Sequence, residues 1–299
     1  MAIVVFFTAR KVLSTWDPIR GVAAHLSPDW AIIAVSCVLV LAAYAVLVSV
    51  WQAVLGAWNA RLPFWDAAHI WTVSNLGRYV PGKVWQLGAM VLMVQRRGIS
   101  KVAGASSALA IMLVSVITGF VVVAVTGASV LQIPRIALAA IWIGSATILL
   151  ALPVSLSMVG RLLTRLTGRS LLLPRLAPSI VVRAVVGTAV AWCLYGAAFQ
   201  LLTKALLGSA PGGTELYISI FTGSYLIGFL ALFAPGGLVV REGIMQVALA
   251  NAGFPAGDAI VLVVASRLWL TVLEILPAVL FLLVQALRDR LRSADSNGT

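Results

Sequence analysis

The chain has 299 residues, of which 62% are hydrophobic and only 10% charged, with a mean hydropathy of +1.06 and a formal net charge of +12. A soluble domain carries about 25% charged residues, whereas charge-free runs of about 20 residues cross a bilayer as helices, which satisfy their own backbone in lipid. Composition therefore excludes an ordinary soluble enzyme and a nucleic-acid-binding protein; the Lys and Arg excess is the kind that flanks membrane spans on the cytoplasmic side.

The first nine residues are apolar but too short to cross, and they lack the basic region of a signal peptide. They are expected to be a first span cut short by a misplaced start. Residues 10–29 are polar, hold two prolines and predict an interfacial loop. Full spans are predicted over about 30–57, 102–125, 134–159, 180–207 and 256–286. Between the first two lies 64–97, interrupted at Pro81-Gly82; between the last two lies 215–252, interrupted at Pro235-Gly236-Gly237. Each piece of these two segments has roughly 13 to 18 residues, short for a crossing at about 1.5 Å per residue. Both are read as re-entrant hairpins, with a full span over 216–233 as the alternative. Residues 1–287 form one transmembrane domain, and 288–299 are expected to be a solvated cytoplasmic tail.

The two broken segments resemble one another. PGKVWQLGAMVLMVQRRGISKVAGASSALAIML and PGGLVVREGIMQVALANAGFPAGDAIVLVVASRL both open on Pro-Gly, continue as an apolar helix and reach a glycine, Gly98 or Gly253, at 17 and 18 residues from the proline. Span, broken hairpin, span thus occurs twice, joined by one connecting span, which inverts the second unit relative to the first. The predicted fold is an all-α, polytopic helical bundle of two inverted-topology units, each with a re-entrant broken helix.

Charge orients it. With the first hairpin inside, the inner side holds Arg61, Arg96, Arg97, Lys101, Arg161, Arg165, Arg169, Arg175, Arg288, Arg290 and Arg292. The outer side holds only Arg10, Lys11, Arg20 and Arg135, an 11-to-4 split that obeys the positive-inside rule. The C-terminus is then cytoplasmic. Trp30, Trp51, Trp58 and Trp65 near span ends read as an interfacial belt, and Cys37 and Cys193 as small core residues.

Few residues remain for chemistry. A half-helix opening at Pro81-Gly82 points free N–H groups and a positive dipole end into the membrane. Flanked by Arg78 and Lys83, it makes an anion site suited to phosphate, with Asn75 and Gln86 as further hydrogen-bonding groups. The competing reading is that Arg78 and Lys83 snorkel to the interface. The second device is Pro235-Gly236-Gly237 with Arg241 and Glu242 one turn inside the next helix. Its glycines permit close backbone approach, and its charges are costly unless they mark a pathway. Arg267 and Glu274 share one face of the last span but lie two turns apart, so each needs a partner on another helix. Arg267 is matched with Glu242, and Glu274 with Arg78 or Arg241. A structural ion network and a proton-coupling role for Glu274 both stay open. His25 and His69 have no metal spacing, no nucleotide loop or nucleophile elbow is present, and no cofactor is expected. Gln200 and Lys204 read as an outer span end.

At GRYVPGKVWQ with RRGIS, and APGGLVVREG followed by ASRLWLTVLE, the chain resembles the lysylphosphatidylglycerol synthase transmembrane region, the flippase-like (YbhN-type) membrane protein family, over about residues 30–287. The resemblance implies a prokaryotic inner-membrane protein that moves a lipid across the bilayer. The motif positions it carries over are Arg78, Pro81, Gly82, Lys83, Pro235, Gly236, Gly237, Arg241, Glu242, Arg267 and Glu274. The soluble aminoacyl-transferring domain of the namesake is not seen after the last span, so lipid synthesis is not implied. The function expected is a flippase or transporter of a phosphate-bearing lipid or lipid-linked intermediate, with no nucleic-acid partner. Headgroup binding falls to Arg78, Lys83, Arg241 and the two Pro-Gly breaks, and a charge network to Glu242, Arg267 and Glu274. A membrane-embedded lipid-modifying transferase and a non-catalytic scaffold are the alternatives. A glycosyltransferase or other lipid-modifying partner, and a homo-oligomer, are left open.

Overall fold

The computed structural model describes residues 28–80, 84–128, 134–167, 176–231 and 239–296, and all of their regular structure is helical. Nine α-helices follow in order: α1 Trp30–Leu55, α2 Phe64–Asn75, α3 Val84–Arg96, α4 Lys101–Thr126, α5 Arg135–Thr167, α6 Pro178–Leu207, α7 Thr214–Leu230, α8 Val240–Asn251 and α9 Ala256–Ser296. Short 3-10 turns extend α1 over Gly56–Trp58 and α2 over Leu76–Tyr79. The stretch 1–9, His25 and the motifs Pro81-Gly82-Lys83 and Pro235-Gly236-Gly237 lie outside the described residues.

Among the described residues, four helical segments are long and apolar enough to cross a membrane: Trp30–Trp58, Lys101–Thr126, Pro178–Leu207 and Ala256–Leu287. Within 134–159 the qualifying apolar stretch is the shorter Arg135–Ala151. The short helices α2, α3 and α8 have 12, 13 and 12 residues. At about 1.5 Å per residue each covers roughly 18–20 Å of a hydrocarbon core about 30 Å thick.

Local chemistry sets the helix ends. The Asp29 carboxylate caps α1 by accepting from Ala31 N at 2.9 Å and Ile32 N at 3.1 Å. Ser100 caps α4 through Ala103 N at 3.1 Å, and Pro178 occupies the first turn of α6. The helices α3 and α8 end in the same way. Gly98 and Gly253 take left-handed backbone angles, φ 77° and 87°. Gly98 N donates to Gln95 O and Ile99 N to Val94 O, as Gly253 N donates to Ala250 O and Phe254 N to Leu249 O. That pair of bonds is a Schellman cap, whose left-handed position glycine fills without steric penalty. The stretch expected to be a separate tail from residue 288 continues α9 as far as Ser296: after Pro277 no glycine or proline interrupts it, and its Arg and Leu residues favour helix.

Packing divides the bundle into two main cores. One joins the end of α1, α2, α3, and the starts of α4 and α6 through residues such as Trp51, Ile70, Val94, Ile111 and Ala184. The other joins the start of α1, the end of α6, α7, α8 and the first half of α9 through Val40, Phe199, Phe221, Leu249 and Leu262. The two pairs of short helices therefore sit toward opposite ends of α1 and α6. These two long helices run antiparallel: Asp29 N donates to Ala205 O at 3.0 Å, and Ser36 Oγ to Ala198 O at 2.8 Å. Further polar links replace a hydrophobic driving force that lipid cannot supply, including Thr118 to Thr188 at 2.8 Å and Trp192 Nε1 to Ser115 O at 2.9 Å.

Two sequence readings need correction. Trp51 is fully buried and donates to Ser107 Oγ at 3.1 Å, so it is a core residue, unlike the exposed Trp30 and Trp65. Its indole fills the space where α1 meets α4, which position near a span end cannot reveal. Cys193 is exposed on α6 and is not a core residue, whereas Cys37 is half-buried and packs against the second core.

Candidate functional site

The turn Leu76–Tyr79 carries the chain from α2 toward the first break and delivers two polar side chains to one carboxylate. Arg78 Nη1 donates to Glu274 Oε1 at 2.6 Å, and the Tyr79 hydroxyl donates to Glu274 Oε2 at 2.5 Å. The Arg78 side chain is 23% exposed and that of Glu274 only 8%. Arg78 Nη1 also donates to the Tyr225 hydroxyl at 3.3 Å. Tyr225 belongs to α7, whose end leads to the second break. The approaches to the two breaks thus meet at Arg78, which Glu274 in the apolar part of α9 holds in place.

Sterics hold this turn in place. A Cβ on Gly77 would lie 2.6 Å from Gln86 N and 2.7 Å from Gln86 Cα, so only glycine lets the turn lie against the start of α3. Across the same gap Gln86 Nε2 donates to Asn75 Oδ1 at 2.6 Å. Asn75 and Gln86, considered as ligand-binding groups, therefore bind each other and brace the hairpin.

The second set lies at the start of α8. Arg241 is 6% exposed. Its guanidinium carbon lies 5.2 Å from the ring centroids of both Phe221 and Tyr225, one turn apart on α7. Cation–π contact of this kind contributes about 2 kcal/mol when desolvated. Arg241 Nη2 is buried with no hydrogen-bond partner, and among the described residues Arg241 makes no ion pair. Gly228 is what allows the approach: a Cβ there would lie 2.7 Å from Arg241 Cβ. Next to it, Glu242 Oε1 is 3.6 Å from Arg267 Nη1, an ion pair too long for a hydrogen bond, and both Glu242 oxygens are buried without a hydrogen-bond donor among the described residues. Val239, just before α8, has φ 70°, a strained value for a β-branched residue.

Arg267 and Glu274 thus take different partners, as their two-turn spacing requires, and of the two cations considered for Glu274 the structure supplies Arg78. This pairing replaces the snorkelling alternative for Arg78. It also changes the anion-site reading, because Arg78 already faces a carboxylate. Three guanidiniums (Arg78, Arg241, Arg267) face two carboxylates (Glu242, Glu274), and Arg241 is the one left over. Lys83 and the two Pro-Gly motifs lie outside the described residues.

An aromatic shell surrounds these charges, and the sequence reading passed over it. Four of the chain's five tyrosines, Tyr44, Tyr79, Tyr195 and Tyr225, gather here. Tyr195 stacks on Phe221 at 5.6 Å, and Tyr44 meets the Tyr195 edge at 6.0 Å with its own hydroxyl buried and unpartnered. A hydroxyl in mid-span was the available signal, since it needs a polar partner or a polar cavity.

At the end of the bundle formed by α2 and α3, Asp66 pairs with Arg97 at 2.6 Å at the surface, and His69 stacks on Phe281 at 5.6 Å. Burial pushes the His69 imidazole below its ordinary value, Arg97 pushes it further down, and Asp66 pulls it partly back. Among the described residues no three His, Cys, Asp or Glu side chains gather as a metal site. No protein-family profile matches this chain, and no curated protein matches it.

Proposed function

We propose that this chain is a flippase-like transporter in the cytoplasmic membrane, which carries a phosphate-bearing lipid or lipid-linked intermediate across the bilayer. The observation that carries this reading is the cluster of Arg78, Glu274, Arg241, Glu242 and Arg267 inside an otherwise apolar bundle, assembled where two interrupted segments approach each other. Charges at membrane depth are costly, and they persist where they line a substrate or ion path. The shared Schellman caps on α3 and α8, and the packing of the two short-helix pairs toward opposite ends of α1 and α6, support two inverted units with re-entrant hairpins. The resemblance of the motifs around Arg78 and Arg241 to the flippase-like family points the same way.

In this reading the headgroup lies between the breaks, near Arg78, Lys83 and Arg241, while acyl chains stay in lipid. The Arg78–Glu274 and Arg267–Glu242 pairs exchange partners as access alternates. The test is translocation in reconstituted vesicles of fluorescent phosphatidylglycerol, phosphatidylethanolamine and a polyprenyl-phosphate analogue, with Arg78→Ala/Lys83→Ala as control. Movement of an anionic lipid that the double variant loses is expected. Folded protein that moves none of the three refutes transport and favours a lipid-modifying or scaffold role.

A further inference from the structure

We infer that Arg241 is the group that takes the anion, a phosphate oxyanion, and that Arg78 is not. The assignment rests on the transport reading only in naming a lipid as the phosphate's source. Arg78 is already neutralised by Glu274 at 2.6 Å and shares a hydrogen bond with Tyr225. Arg241 has no such partner among the described residues. One side of its guanidinium rests across the rings of Phe221 and Tyr225, and Nη2 is buried with nothing to donate to. The charged side chains that act on it, Arg267, Glu242 and Glu274, are paired with one another or with Arg78. A buried cation left in this state is strongly disfavoured, so its retention calls for an anion that arrives from outside the chain.

The geometry narrows the chemistry. A guanidinium presents a planar fork of donors that matches two oxygens of one phosphate. Arg241 is the second residue of α8, whose start has no side-chain cap, so it sits in the first turn, at the positive end of the helix dipole. The aromatic rings fix the plane of the guanidinium before the anion arrives. Tyr225 also gives the site a link to the rest of the network, because its ring lies under Arg241 while its hydroxyl meets Arg78. An anion that shifts Arg241 therefore acts on the Arg78–Glu274 pair through one side chain.

The test uses the full chain in an uncharged maltoside detergent. Binding of short-chain phosphatidic acid, short-chain phosphatidylglycerol and inorganic phosphate is measured by calorimetry, and thermal unfolding is followed without ligand. Wild-type protein is expected to bind the anionic lipids saturably. Arg241→Lys, which keeps the charge and loses the fork, is expected to bind at least about tenfold more weakly, and Arg241→Met not to bind. Lys101→Ala, which removes an exposed cation at the start of α4 outside the cluster, is expected to keep the affinity. Without ligand, Arg241→Met should unfold at an unchanged or higher temperature, because it removes an unpaired charge; a purely structural arginine would give a fall. Undiminished lipid binding by Arg241→Met, or an equal loss of binding in Lys101→Ala, overturns the assignment. Inorganic phosphate binding as tightly as the lipids keeps the anion site and overturns the lipid as its source. Wild-type protein that binds through Arg241 but moves no lipid refutes transport and leaves the site standing. Arg241→Met protein that moves lipid at the wild-type rate refutes the site and leaves transport standing.

Discussion

Replacing Glu274 by alanine would leave Arg78 without its carboxylate. Removing one member of a buried ion pair typically costs about 3–5 kcal/mol, because the other charge stays behind. Arg78 is 23% exposed and keeps its 3.3 Å bond to Tyr225, so the lower end applies, about 3 kcal/mol. The Tyr79 hydroxyl loses its acceptor as well, which adds about 1 kcal/mol. Arg78→Met should cost about 3 kcal/mol, since Glu274, 8% exposed, would then have only Tyr79. The double variant Arg78→Met/Glu274→Ala removes both charges and leaves no unpaired charge, so it should be more stable than Glu274→Ala, with a coupling of at least about 2 kcal/mol. Equilibrium unfolding in mixed micelles with rising dodecyl sulfate, followed by far-ultraviolet circular dichroism, measures all three. Single-variant losses below about 1 kcal/mol that simply add would refute the claim that this pair is buried and coupled.

Three further outcomes follow from the same contacts. Gly77→Ala should destabilise the protein by about 2 kcal/mol or more, because its Cβ meets backbone atoms of Gln86 that cannot rotate away; the same unfolding titration measures it, and lipid translocation should fall with it. Tyr79→Phe should cost about 1.5 kcal/mol, less than Glu274→Ala, because Arg78 remains on the carboxylate; equal losses would show that Arg78 contributes nothing. The His69 imidazole is held below its ordinary value, so the unfolded chain takes up the proton first. Stability is therefore complete above about pH 6.5 and lost as the pH falls from there through the folded value. Thermal unfolding at descending pH should show a smaller loss in His69→Phe than in wild type.

Much of the helix plan was legible without coordinates. Apolar runs near Trp30, Val102, Ile180 and Ala256 mark the long helices, because lipid demands about 20 residues of self-satisfied backbone. The glycines Gly98 and Gly253 mark the ends of α3 and α8, because a left-handed cap favours glycine. The ion-pair partners of Arg267 and Glu274 were nameable because two turns of helix keep these residues apart. The Trp51 and Cys193 readings failed because a side chain's depth depends on which helix packs over it, and local sequence holds no record of that.

The site shows where the division falls. By itself the sequence determined a membrane-embedded helical chain, the places where helices must stop, and a short set of charges that cannot be left in lipid. Only the tertiary structure decided which charges are neutralised. Arg78 and Arg241 look alike in sequence, each a cation close to a Pro-Gly break, yet one meets Glu274 and the other meets two aromatic rings. The energy of a buried charge depends on the few ångströms around it. Those few ångströms are set by residues up to 196 positions away in the chain.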